Sequence, residues 1–111
     1  MSSTVVAPKP SVPTRDRAQN MRALERANLV RLARAELKRA IGRGDEHVAD
    51  VVRSCPWESE TMTIGELLRS QRRWGKTRTR RFLAGLGLSE SKAVGTLTQR
   101  QRRLIASELP R

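Results

Sequence analysis

The sequence predicts an all-α protein: a single small helical domain led by a long N-terminal helix. Two observations carry this. Apolar residues return at three- and four-residue spacing in successive segments, and no run alternates with a period of two. Cap residues and Gly or Pro stops separate those segments at helix-like intervals. A length of 111 residues supports one small core and leaves little room for a second domain. No internal repeat is visible.

Residues 1–14 hold three of the five prolines, at Pro8, Pro10 and Pro13. Pro, Ser and Val follow one another there without period, which predicts a disordered Pro-rich arm. Such an arm is either a plain solubilising tail or a contact to a phosphate or a minor groove. Residues 15–44 read as a long basic helix. Thr14 suits its N-cap, and Ala, Leu, Arg and Glu fill Arg15 to Ile41. Val30, Ala33, Leu37 and Ile41 form its apolar stripe, which Leu24, Ala27 and Ala40 extend, and Gly42 and Gly44 end it.

Residues 45–111 form the remaining helical domain. Asp45 is placed to cap a second helix reaching about Ser54, with Val48, Val51 and Val52 inward and Cys55-Pro56 as its stop. An acidic connector, Trp57-Glu58-Ser59-Glu60, leads to a third helix. Thr63 caps it, Glu66 occupies the capping-box position, and Ile64, Leu67 and Leu68 face inward. After a turn at Arg72–Gly75, a fourth helix starts at Lys76, carries Phe82, Leu83 and Leu86, and breaks at Gly87. Ser89-Glu90-Ser91-Lys92 is read as a short fifth helix. Thr98 caps the last one, with Leu104, Ile105 and Leu109 buried.

Charge narrows the partner. The 23 basic and 11 acidic residues give +12 and a pI near 11.7, a surface that attracts polyanions. Residues 1–44 contribute +7, residues 45–66 −5, residues 67–89 +7 and residues 90–111 +3. Two basic regions flanking an acidic one suggest two separate phosphate contacts. An anionic membrane surface is the competing polyanion, but no apolar run is long enough to span a bilayer. Aromatic residues make up 3 %, which argues against a stacking platform for single strands. Cys55 is the only cysteine, so an intrachain disulfide and an all-cysteine zinc site are excluded. With no secretory signal visible, the expected compartment is the cytoplasm.

The densest basic stretch runs from Arg69 to Arg81, with seven Lys or Arg in thirteen residues and no acid. A turn feeding a basic helix is suited to gripping a phosphate backbone. The first N–H groups of the helix carry partial positive charge, Gly75 lets a backbone come close, and Lys76, Arg78, Arg80 and Arg81 add mobile charge. Thr77 and Thr79 hydroxyls are further donors. The plain alternative is a solvated basic helix. Trp74 either anchors two helices from beneath the turn or wedges beside a base step. Arg22 and Arg26 share one face of the first helix, and Arg31, Arg34 and Lys38 another. These five form a candidate second DNA contact, with Arg100, Arg102 and Arg103 behind them. His47 beside Asp45, Glu46 and Asp50 is better explained by helix capping than by a metal site. Trp57 reads as core or connector packing, and Cys55 as a small buried hydrophobe.

The segments Ile64-Gly65-Glu66-Leu67-Leu68, Trp74-Gly75-Lys76-Thr77-Arg78 and Leu86-Gly87-Leu88-Ser89-Glu90-Ser91-Lys92 together resemble the helix–two-turns–helix module of actinobacterial integration host factor, of the mycobacterial and Streptomyces type. The likeness spans residues 15–109 and places the module at about 63–97. It implies a non-enzymatic nucleoid protein, without cofactor or metal, that binds duplex DNA with little sequence preference and bends or compacts it. The implied partners are duplex DNA and, beyond it, a phage integrase or other nucleoid proteins; the implied state is a monomer. By position, Gly75, Lys76 and Arg78 would lie at the DNA backbone, joined by Arg73, Trp74, Thr77, Arg80, Arg81 and Lys92. The chain diverges where the family's turn reads Gly-Val-Gly-Lys, since Arg73 and Trp74 replace the first two residues. Ala93 and Gly95 stand where basic residues are expected. A ribosome-associated RNA binder is the alternative, because the module also resembles part of a small-subunit ribosomal protein. A DNA glycosylase would need a catalytic domain that the chain has no room for, and an adaptor for an acidic protein would show no salt-sensitive DNA binding.

Overall fold

The computed structural model describes residues 14–110; the expected arm, but for Thr14, and Arg111 lie outside them. The described residues form five α-helices: α1 Thr14–Arg43, α2 Val48–Ser54, α3 Ile64–Arg69, α4 Lys76–Gly85 and α5 Gln99–Glu108. Single 3-10 turns stand at Trp57–Ser59 and Val94–Thr96. The all-α class holds, since the only β-type pairing among the described residues is an isolated bridge between Thr63 and Ala93. Contacts divide the chain into two units between Val30 and Arg31, inside α1. The unit from Arg31 onward holds the core.

That core takes Leu37 and Ile41 from α1, four residues of α2, Ile64, Leu67 and Leu68 from α3, Leu83 from α4, and Ile105 and Ala106 from α5. Met62, Trp74, Val94, Leu97 and Leu109 join it from the connections. α2 packs on α5, and α3 on α4. Each fully buried Ile or Leu contributes about 2 kcal/mol by leaving water, which is how a six-residue α3 persists far below the length at which an isolated helix is stable.

The ends of the helices follow local chemistry, with two departures. Thr63 Oγ1 accepts the Glu66 N–H at 3.0 Å, as expected. The Glu66 carboxylate does not return to complete the capping box; it forms an ion pair with Lys38. Asp45 does not cap α2 either. It accepts from Arg43 Nε at 2.9 Å, and His47 becomes the N-cap residue with no side-chain bond. α4 closes in a Schellman arrangement, with Leu88 N–H on Leu83 O at 2.9 Å and Gly87 N–H on Ala84 O at 3.1 Å. Gly87 has the positive φ, 73°, that this closure requires. At α5, Thr98 and Gln101 form a full capping box.

Ser89–Lys92 forms no helix, contrary to expectation. Its carbonyls face another segment: Ile64 N–H bonds Lys92 O at 2.8 Å and Gly65 N–H bonds Glu90 O at 3.0 Å. Further on, Val94 N–H bonds Met62 O at 2.8 Å and Gly95 N–H bonds Glu60 O at 2.9 Å. Residues 90–95 thus run antiparallel to residues 60–65, and the backbones approach so closely that two positions admit no side chain. A Cβ on Gly65 would meet Glu90 O at 2.9 Å, and one on Gly95 would meet Glu60 O at 2.9 Å. Gly95 therefore stands where a basic residue was expected because the fold has no space for one.

Three apolar expectations also change. Leu104 is exposed at 39 %, while Ile105, Ala106 and Leu109 make the buried face of α5. Trp57 is exposed, not packed, and Leu24 of the expected α1 stripe is exposed as well. Cys55 is only half-buried. It ends α2 in the left-handed region with φ 47°.

Candidate nucleic-acid interface

The basic stretch is presented by α3, the turn after it and α4. Gly75 is the N-cap of α4, no side chain caps that end, and the first turn carries no acid. α3 and α5, by contrast, have first turns capped by Thr63 and Thr98. The leading N–H groups of α4 therefore face outward without a side-chain partner, in a positive helix-dipole field. Gly75 is exposed, and a Cβ there would touch nothing within 4 Å. The fold itself does not require a glycine at this position.

Around this end, Arg72, Arg73, Lys76, Thr77, Arg78, Arg80 and Arg81 are exposed, and Lys92 is half-buried. Trp74 is 8 % exposed and belongs to the core. That favours the anchoring reading over the wedge. Its ring stacks edge-on with Phe82, centroids 5.4 Å apart at 80°, and the Arg78 guanidinium lies over it at 4.2 Å. Trp74 thus acts by holding Arg78 in place at the rim of the helix end. Trp74 stands before the N-cap of α4 and outside the helix, so the helical i, i+4 rule gave no signal for this stack. Thr79, weighed as a further donor, is fully buried and faces inward.

Arg73 has φ 68°, left-handed backbone on a residue other than glycine. This is the position at which the family likeness leads one to expect glycine, and the conformation explains that preference. Holding Arg there costs on the order of 1 kcal/mol.

Not every cation of the stretch is free. Glu90 accepts from Arg80 Nε at 2.9 Å and from Arg69 Nη1 at 3.2 Å. Hydrogen bonding and charge from Arg80, and then from Arg69, hold the Glu90 carboxyl below the ordinary carboxylate range. Nothing in the local pattern ties Glu90 to either arginine, and the sequence reading missed it.

The second candidate set divides between the two units. In the unit ending at Val30, Arg22 and Arg26 are exposed. In the other, Arg31 is exposed, Arg34 Nε reaches Glu58 O at 3.4 Å, and Lys38 is paired with Glu66. Arg102 is part of the scaffold. Its guanidinium donates to Val52 O at 2.9 Å and Val94 O at 3.0 Å, and its Nε to Leu97 O at 3.3 Å. Among the described residues, no three His, Cys, Asp or Glu side chains come close enough to hold a metal ion, and no helix is long and apolar enough to cross a membrane.

The unit is a small, basic, all-helical one that turns an uncapped helix end outward among exposed arginines, an arrangement whose chemistry suits an anion. Its fold is similar to that of a solved structure, sIHF bound to an 8-base-pair palindromic DNA. The TM-score is 0.69 at 28% identity, covering 76% of this chain and 97% of that one. The chain therefore has an sIHF-like fold. No family model matches it, and no curated protein does.

Proposed function

We propose that this protein binds duplex DNA along the phosphate backbone, as a non-enzymatic architectural protein of the nucleoid with little sequence preference. The observation that carries the reading is the uncapped, acid-free first turn of α4, set beside exposed Arg73, Lys76, Thr77 and Arg78. A phosphate at this end would accept the leading N–H groups of α4, with Lys76 and Arg78 on either side. Arg81 and Lys92 extend the track, Arg80 stands beside them in its ion pair with Glu90, and Trp74 supports it from beneath. The open space at Gly75 suits close approach of a sugar-phosphate chain. The similarity to a DNA-bound protein supports the same ligand.

In this reading, α3, the turn, α4 and the return through residue 97 make a helix–two-turns–helix module of the actinobacterial type. Arg22 and Arg26, and separately Arg31, Arg34 and Lys38, supply further contacts through which one monomer bends or compacts the duplex. Assistance to a phage integrase and joint action with other nucleoid proteins belong to the same reading.

Fluorescence anisotropy with a short duplex, titrated with salt, tests the proposal. With about six phosphate contacts, affinity should fall about a thousandfold between 50 and 200 mM salt. Competition with structured RNA decides the ligand: displacement of the duplex by RNA at lower concentration than by unlabelled duplex would replace DNA with RNA as the partner.

Arg73→Gly separates stability from binding at the turn. Glycine relieves the left-handed strain, offset in part by its greater freedom when unfolded, so the gain should be up to about 1 kcal/mol. The same change removes one cation, so the slope of log affinity against log salt should become shallower by about 0.9. Thermal melting and the salt titration read the two effects independently.

A further inference from the structure

We propose that Glu90 is a built-in competitor for the DNA phosphate, withholding Arg69 and Arg80 from the backbone and so setting the affinity of the basic face. The inference rests on the DNA-binding reading above. One carboxylate reaches two arginines on different helices: Arg69 Nη1 at 3.2 Å from the end of α3, and Arg80 Nε at 2.9 Å from the outer face of α4. Two guanidinium groups converging on one anionic point make a fork of the kind that takes a phosphate.

The backbone of Glu90 cannot drift away from this position. Its carbonyl accepts the Gly65 N–H at 3.0 Å, and Gly65 packs so near that a Cβ there would meet Glu90 Cβ at 2.9 Å. The carboxylate itself is partly exposed, at 31%, and so is Arg80, at 69%. A phosphate can therefore reach the arginines that Glu90 occupies. Between Arg69 and Arg81 there is no acid, and Glu90 is the only anion in an ion pair with this stretch among the described residues. Of the seven cations of the stretch, Arg69 and Arg80 are the two held by an internal anion.

The test compares salt titrations of duplex binding for the natural chain, Glu90→Gln and Arg80→Gln, with Lys76→Gln as a reference for an unpaired contact. Glu90→Gln should bind more tightly at low salt. Its log–log slope should steepen by about 0.9 for each arginine released, an extra loss of about 3.5-fold per arginine between 50 and 200 mM. Arg80→Gln, which leaves Glu90 and its backbone bonds in place, should change the slope by less than half as much as Lys76→Gln. Weaker binding by a helical Glu90→Gln would mean that the carboxylate positions the arginines instead of competing for them, and would overturn the proposal. So would an effect of Arg80→Gln equal to that of Lys76→Gln. Should Glu90→Gln fail to fold, the Arg80→Gln comparison alone decides. If the natural chain shows no salt-sensitive duplex binding, the DNA reading falls and this inference with it; if it binds and the variants do not separate, only this inference falls.

Discussion

Reversing Lys76 and Arg78 together to glutamate should abolish duplex binding at ordinary salt and leave the helices intact. Near a phosphate, each reversal removes an attraction of about 1 kcal/mol at water-like screening and adds a repulsion of similar size. Two reversals total about 4 kcal/mol, or nearly a thousandfold in affinity. Both side chains are exposed, so neither reversal leaves a hole in the core. Arg78→Glu does give up the stack on Trp74, about 0.5–1 kcal/mol at an exposed site. Against that, acids in the first turn of α4 are favoured by the helix dipole by about 0.3–1 kcal/mol each. The two effects nearly cancel, so circular dichroism and the melting temperature should stay close to those of the natural chain. An electrophoretic mobility shift on duplex DNA reads the binding. A double variant that still retards the duplex at ordinary salt would move the interface elsewhere, with the exposed arginines of α1 first in line.

The parts of this fold legible in the sequence are those whose causes lie within about four residues. Thr63 and Thr98 cap where a hydroxyl before an apolar run would, Gly87 ends α4, and Gly75-Lys76 starts it. The start of α4 is also the heart of the candidate site, which is why the site was visible at all. What was not legible depends on partners far along the chain. The string Ser89–Lys92 has the composition of a helix start, yet the carbonyls of Glu90 and Lys92 are taken by Gly65 and Ile64, and tertiary pairing overrides the local preference. The Glu90 bridge spans 21 residues to Arg69 and 10 to Arg80. Leu104 and Ile105 are neighbours on one helix, and only the position of α2 against α5 decides which of them is buried. Trp74 belongs with these: its link to Arg78 crosses the N-cap of α4, and its burial comes from how α3 and α4 meet.

Arg102 should show the opposite behaviour from Lys76 and Arg78. In sequence it sits between two other basic residues, Gln101 apart, as one more cation of a basic C-terminus. In the fold its three donors join carbonyls at the end of α2, in the 3-10 turn and just before α5. Val94 O also accepts the Leu97 N–H at 3.2 Å, and among the described residues the Arg102 guanidinium fork is the one side chain that reaches all three carbonyls. Hydrogen bonds with a charged donor contribute about 1.5–3 kcal/mol each at full burial. Arg102 is half-buried, so about 3 kcal/mol for the set is a fair expectation after screening. In a domain of this size that corresponds to a fall of roughly 12–24 °C in melting temperature for Arg102→Ala. Arg102→Lys keeps the charge but not the fork, and should lose most of the same stability. That variant separates the two roles: a residue acting through charge on DNA would tolerate lysine, and a residue bracing three carbonyls would not. Below the melting transition, the salt slope for duplex binding should be unchanged in both. A slope shallower by about 0.9 in Arg102→Ala, with an unaltered melting temperature, would place this arginine at the DNA and remove it from the scaffold.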